Sequence, residues 1–165
     1  MNNSMKAYNS NSERNAPSHS HPVLSLERIG DPARTLLVVD DDPMVRYVEV
    51  QVLRLQGYTV LEAQGAAEAL RVAREAAAIH LLITDFSMPE VDGLELSRQF
   101  RLVHPETPVL MVSGSFPLAQ NRPDDLDRFE FLAKPFHFDE LLHKVRALLD
   151  ATAPLPIRKA FPEYY

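Results

Sequence analysis

Four short apolar runs, each ended by a polar residue, constrain the fold of this chain more than any other feature. The runs and the polar residues that end them are Leu36–Val39 before Asp40 and Asp41, Leu81–Thr84 before Asp85, Val109–Val112 before Ser113, and Phe131–Ala133 before Lys134. Runs of this length alternating with helical segments are typical of buried strands in a parallel sheet. Such sheets place their functional groups at the carboxyl ends of the strands. We therefore expect carboxylates, a hydroxyl and an ammonium to converge on one crevice.

Composition narrows the class of protein. The 165 residues suit one domain with a single core. Because 23 acidic residues outnumber 17 basic ones, the net charge is −6, and nucleic acid is not expected as a direct partner. Cysteine is absent, which excludes disulfides and thiolate zinc sites. No apolar run approaches the roughly 20 residues of a membrane span, and no secretion signal is evident. We expect a cytoplasmic protein without membrane contact.

Both ends of the chain have the composition of tails. Residues 1–33 are rich in Asn, Ser, His and Pro, which bury too little apolar surface to offset the entropy of ordering. Residues 151–165 contain three prolines that block helix continuation. We therefore predict a weakly ordered N-terminal tail, one domain over residues 34–150, and a C-terminal tail.

The domain alternates strands and helices. Strands are predicted at about 35–40, 58–61, 81–84, 108–112 and 129–133, and helices at 43–56, 66–77, 93–103 and 138–150. Asp42 and Pro43 form a typical helix start, and Gly57 a typical stop. The first helix carries an apolar stripe formed by Met44, Val45, Val48, Val52 and Leu55. The last helix is expected to point its apolar residues inward, namely Phe138, Leu141, Leu142, Val145 and Leu149.

Right-handed crossovers between these elements predict an α/β doubly wound sandwich of (βα)5 type. The flavodoxin-like strand order 2-1-3-4-5, adopted from known folds of this class, would bring the tips of strands 1, 3, 4 and 5 side by side. Pro117 and Pro123 lie in segment 114–128, so its helix is expected to be short or irregular.

The chemistry of these tips favours a divalent cation and a phosphoryl group. Asp40, Asp41 and Asp85 would repel one another unless a cation intervened, and Mg²⁺ prefers such oxygen ligands. Asp85 is alone at its tip and is the better nucleophile, which leaves Asp40 and Asp41 to hold the metal. The backbone carbonyl of Ser87 is a further candidate ligand.

Two more residues suit a bound phosphoryl group. Lys134 supplies a compact positive charge for a phosphate oxygen, and Ser113 supplies a hydroxyl donor from the neighbouring strand. The Lys134–Pro135 bond is a candidate cis peptide, since only bonds before proline adopt that geometry at small cost.

Over about residues 34–150, the sequence strongly resembles the receiver domain of two-component response regulators. The matching motifs are Val38–Asp42, Leu82–Pro89, Asp92-Gly93, Val112–Gly114 and Lys134–Phe136. The resemblance implies that Asp85 accepts a phosphoryl group from a histidine kinase or a histidine phosphotransfer protein. It also implies that Asp41 and Asp85 bind Mg²⁺ directly and that Asp40 binds it through water. Mn²⁺ is expected to be able to replace Mg²⁺.

The same resemblance assigns a conformational switch. Ser113 matches the switch hydroxyl, Lys134 matches the lysine of the family pattern, and Phe131 occupies the aromatic position on strand 5, where it lacks a phenolic hydroxyl. Ser87 and Ser115 flank the approach of hydrolytic water, so a moderately short-lived phosphoryl state is expected. No output domain is expected after residue 150. A stand-alone receiver that docks on an unidentified downstream protein is therefore predicted.

Two alternatives stay open at this point. Asp40 and Asp42 resemble the D-x-D start of Mg²⁺-dependent phosphohydrolases, with Asp40 as nucleophile. Pro43 and the lack of a cap insertion argue against that enzyme, and it leaves the motif at Asp85 unexplained. The other alternative is a docking module that works without phosphorylation.

Overall fold

The computed structural model describes Asp31 and residues 33–114 and 129–152, and within them five strands and four helices. The elements are β1 (Thr35–Val39), α1 (Pro43–Gln56), β2 (Thr59–Ala63), α2 (Ala66–Glu75), β3 (Leu81–Asp85), α3 (Gly93–Arg101), β4 (Val109–Ser113), β5 (Glu130–Ala133) and α4 (Phe138–Ala151). All strand pairs are parallel, and the order is β2-β1-β3-β4-β5. The predicted α/β class and strand order are confirmed.

The sheet lies between two helical layers because the central strands are apolar on both faces. Every residue of β3 and β4 is buried. On one face, the α1–α4 layer packs Val50 and Leu53 of α1 and Leu141 and Val145 of α4 against the strands. On the other face, the α2–α3 layer is built around Phe100. Burial on both faces is what a parallel sheet with crossover helices requires.

Helix α1 begins and ends where the sequence predicts, but it buries a different face. The side chain of Asp42 accepts hydrogen bonds from the amides of Met44 and Val45, and Gly57 adopts the left-handed conformation that ends the helix. The predicted apolar stripe is a core face only in part: Met44 and Leu55 are 69% and 74% exposed, whereas Val52 packs against the α1–α4 layer. The residues that α1 buries are Glu49, Val50 and Leu53.

Smaller differences concern boundaries and one side chain. Strands β2 and β4 begin and end later than predicted, and α2 ends at Glu75 rather than residue 77. Phe138, expected to point inward, is half exposed because it is the first residue of α4. The segment 115–128 and residues 1–30 and 153–165 lie outside the described residues, so the predictions for the irregular helix and the tails stay predictions. Among the helices of the described part, none has the length and apolarity needed to cross a membrane.

Candidate functional site

The alternation of side chains along the strands brings three of the predicted residues to the same face of the sheet. Three core residues, each two positions before one of them, pack in the α1–α4 layer: Val38, Ile83 and Leu132. Because residues two apart along a strand share a face, Asp40, Asp85 and Lys134 return to that face at the carboxyl ends of β1, β3 and β5. The strand order places β4 between β3 and β5, so Lys134 reaches across about 10 Å of sheet.

These three side chains form the acidic pocket, defined here as Asp40, Asp85 and Lys134. The Lys134 ammonium donates to Asp40 Oδ2 at 3.0 Å and to Asp85 Oδ1 at 2.7 Å. The side chains of Asp40 and Asp85 are 3% and 9% exposed, whereas that of Lys134 is 27% exposed. Two buried carboxylates therefore share one cation that still has access to solvent.

Backbone groups fix the remaining carboxylate oxygens. The amide of Asp42 donates to Asp40 Oδ1 at 2.8 Å, and the amide of Ser87 donates to Asp85 Oδ2 at 2.9 Å. Arg46 of α1 donates from Nη1 to the backbone carbonyl of Asp40 at 2.6 Å. Each carboxylate thus has one oxygen held by the backbone and one by Lys134.

Burial and pairing shift the pKa values in this pocket. Burial raises the pKa of Asp40, although the hydrogen bonds from Lys134 and the Asp42 amide act in the opposite direction. Burial alone would lower the pKa of Lys134, but its hydrogen bonds to Asp85 and Asp40 outweigh burial and raise it. The ammonium therefore stays protonated at neutral pH and balances the buried acids.

The donor set suits a hard divalent cation. Carboxylate oxygens are the ligands that Mg²⁺ prefers, and in this structure the ammonium of Lys134 is the cation between Asp40 and Asp85. Asp41 is exposed and lines an open groove with Gly65 and Pro89. Within the described residues, no three His, Cys, Asp or Glu side chains form a ready-made metal centre. The carboxylate oxygens of Asp40 and Asp85 fit the ligand preference of Mg²⁺.

The other predicted residues are less directly joined to this pocket. Ser113 is buried at the end of β4, and its backbone carbonyl accepts from the Lys134 amide at 2.7 Å. Phe131 is opposite Met111 in the register of β4 and β5 and packs against the α2–α3 layer. Ser87 is exposed at the end of β3, and the Lys134–Pro135 peptide bond is cis. Ser115 lies outside the described residues.

One acidic residue was missed by the sequence analysis. Glu49 of α1 is 3% exposed, and its Oε1 has no hydrogen-bond partner among the described residues. Its pKa is raised to about 7, mainly by burial; the negative charges of Asp40 and Asp85 add to the rise, and the ammonium of Lys134 opposes it. The predicted stripe did not include Glu49. The spacing of four residues from Val45 to Glu49 and from Glu49 to Leu53 was the available signal.

Comparison with known proteins decides the family. The family model of the response regulator receiver domain matches residues 36–146 of this chain. The chain belongs to the response regulator receiver domain family. This receiver is therefore of the two-component phosphorelay type, and the match is to a signalling domain rather than to an enzyme that turns over an external substrate.

Relatives of this receiver range from short to very long proteins. It is 38% identical over 119 residues to the sensor kinase CckA of Brucella abortus, covering 70% of this chain and 12% of the kinase. It is 34% identical to the response regulator receiver protein CpdR of the same organism, covering 72% of this chain and 98% of CpdR. Among solved structures, TrrA of Thermotoga maritima in complex with Mg(2+)-BeF superposes with a TM-score of 0.62 and 29% identity, covering 70% and 99% of the two chains.

Proposed function

We propose that this receiver accepts a phosphoryl group on Asp85 from the phosphohistidine of a histidine kinase or histidine phosphotransfer protein, in a Mg²⁺-dependent reaction. The observation that carries the proposal is the shared Lys134 ammonium, 2.7 Å from Asp85 Oδ1 and 3.0 Å from Asp40 Oδ2. The similarity to TrrA, whose solved structure is a Mg(2+)-BeF complex, supports the same chemistry here.

The transfer needs a nucleophile, a phosphate-binding cation and charge compensation. An Asp85 carboxylate oxygen forms the new P–O bond as the P–N bond of phosphohistidine breaks, and the imidazole nitrogen keeps the electron pair. Lys134 then holds a phosphoryl oxygen instead of a carboxylate. Mg²⁺ or Mn²⁺, held by Asp40, Asp41, Asp85 and the Ser87 carbonyl, would offset the charge on the phosphoryl oxygens.

The acyl phosphate is proposed to control docking on a downstream protein. Ser113 is one strand away from Asp85 in the sheet, and Phe131 follows on the next strand. A hydroxyl that bonds the phosphoryl group and an aromatic ring that repacks behind it bias a two-state equilibrium. Ser87 and Ser115 are proposed to set how long the phosphorylated state lasts, because both are small and polar.

Phosphorylation of the full chain by acetyl phosphate tests this proposal. With Mg²⁺, intact-mass spectrometry should show one phosphoryl group per chain, and the label should disappear when the metal is chelated. Asp85→Asn should abolish it. Asp92→Asn is the matched control, because it makes the same change at the exposed N-cap of α3, where asparagine also caps well.

Other outcomes would reassign the protein. Label that persists in Asp85→Asn would contradict the assigned acceptor. Repeated release of phosphate that depends on Asp40 would instead indicate the phosphohydrolase. Partner capture that is equal with and without acetyl phosphate would support the phosphorylation-independent docking module.

A further inference from the structure

Glu49 is a buried acid on the inner face of α1, beside the apolar side chains of the α1–α4 layer. Its neighbours along the buried face of α1 are Val50 and Leu53, which are 1% and 0% exposed. A buried carboxyl with an oxygen that lacks a hydrogen bond destabilises the folded state, and an apolar side chain would avoid this cost. The acidic residue is therefore unfavourable for stability at this position.

The charges that act on Glu49 belong to the acidic pocket. They are Asp40 after β1, Asp85 at the end of β3 and Lys134 after β5. Glu49 lies on the buried face of α1 with Val50 and Leu53, which pack against Val38 and Ile83 on the face of the sheet that also carries the pocket. Electrostatic interactions are stronger in such a water-poor region than at an exposed surface. A carboxylate at position 49 therefore adds negative potential to the pocket.

Lys134 makes that added charge useful. Its ammonium has three donors, and two of them are bound to Asp40 and Asp85. A divalent cation that binds the same two carboxylates competes with Lys134 and places a second positive group beside it. A further negative charge behind the pocket offsets this accumulation of positive charge.

We propose that Glu49 is a positioning residue of the phosphoacceptor site: its buried carboxylate strengthens divalent-cation binding and compensates Lys134, at a cost in fold stability. This inference rests on the proposed function, since it concerns the same metal-dependent site. It assigns Glu49 a role through the charges of the pocket rather than through contact with the phosphoryl group.

Proton linkage gives this role a pH signature. The pKa of Glu49 is raised from 4.5 to about 7 in the fold. As pH rises from about 4.5 to about 7, the unfolded chain loses this proton while the folded chain retains it, so the residue destabilises the fold increasingly over that window. Binding of a divalent cation favours the ionised form of Glu49, so the affinity of the site for the cation should rise as pH passes from 6 to 8.

Isothermal titration of Mg²⁺ into the full chain tests the proposal. At pH 8, Glu49→Gln should weaken Mg²⁺ binding by about fivefold, which is the size of effect expected when one buried charge is removed. At pH 6 the two proteins should differ less. Thermal unfolding without Mg²⁺ should show higher midpoints for Glu49→Gln and Glu49→Leu than for wild type at pH 8. The control Glu75→Gln removes the same charge at the exposed end of α2 and should change neither property.

The outcomes separate this inference from the proposed function. Wild type that binds no Mg²⁺ would overturn both. Wild type that binds Mg²⁺ and accepts a phosphoryl group on Asp85, with Glu49→Gln binding equally well at pH 8, would overturn the role of Glu49 alone. Variants with lowered unfolding midpoints or no folded state would identify Glu49 as structural and also overturn it.

Discussion

Lys134 shows at the scale of a single residue how the site resolves its electrostatics. Asp40 and Asp85 are both buried, and each takes one hydrogen bond from the same ammonium. A buried carboxylate without a cationic partner is strongly unfavourable, so removing Lys134 leaves two such groups. The lysine that is proposed to bind the phosphoryl group also holds the unphosphorylated pocket together.

Replacing Lys134 with methionine should therefore destabilise the metal-free protein. We expect a loss of roughly 2–4 kcal/mol in the free energy of unfolding at pH 7, measured by urea denaturation. The pKa of Lys134 is raised above 10.5 in the fold, so its stabilising contribution is complete at pH 7 and is lost only as pH rises past that raised value.

Added Mg²⁺ should restore part of the stability of Lys134→Met, because it supplies the missing positive charge. The matched control is Lys144→Met, which breaks an exposed pair with Glu130 and should cost less than about 1 kcal/mol. Equal losses in the two variants would contradict a special role for Lys134 in stability.

At the scale of elements, the start of α3 fixes the end of β3. Asp92 caps the helix by accepting from the amide of Glu95 at 2.8 Å, and the amide of Gly93 donates to the carbonyl of Phe86 at 3.0 Å. A Cβ at position 93 would overlap the backbone carbonyl oxygen of Asp85. Glycine is needed here because helix and strand backbones approach closely beside the proposed acceptor.

Gly93→Ala should push α3 away from β3 and displace Asp85. We expect a loss of about 1–3 kcal/mol in the free energy of unfolding, with slower labelling by acetyl phosphate. Gly65→Ala is the control, because a Cβ there meets nothing within 4 Å, and it should change stability by less than about 1 kcal/mol. A Gly93→Ala protein with normal stability and labelling would refute this steric account.

At the scale of the whole molecule, stability depends on the two helical layers that cover the sheet. Phe100 is the largest fully buried side chain of the described residues, and its ring stacks on His104 at 4.9 Å. Leu102, two residues later, is 86% exposed. Apolar residues that are close in sequence therefore contribute very differently to stability, depending on whether the α2–α3 layer covers them.

Phe100→Ala should cost about 3–5 kcal/mol in the free energy of unfolding, since it opens a cavity in the α2–α3 layer. Leu102→Ala should change this free energy by less than about 0.5 kcal/mol. Chemical denaturation of both variants measures the difference. Similar costs for the two would mean that position 102 is covered in solution.

Local sequence patterns were enough to predict the approximate positions of the strands, the two caps of α1 and the residues at the strand tips. Apolar runs bounded by Asp40, Asp85 and Lys134 identify buried strands locally, and the Asp42-Pro43 start and Gly57 stop depend on backbone chemistry within a few residues. These features need no knowledge of the rest of the chain, so they were predictable.

Tertiary contacts set which face of α1 is buried and which of the charges expected at the strand tips pair with one another. The sequence of α1 offers two apolar faces, and the α4 helix that packs beside it in the same layer is about 90 residues away along the chain. Packing against that layer buries Glu49 and exposes Met44 and Leu55, and the strand order lets one lysine reach two carboxylates. Local periodicity cannot encode these choices, because they depend on contacts between distant segments.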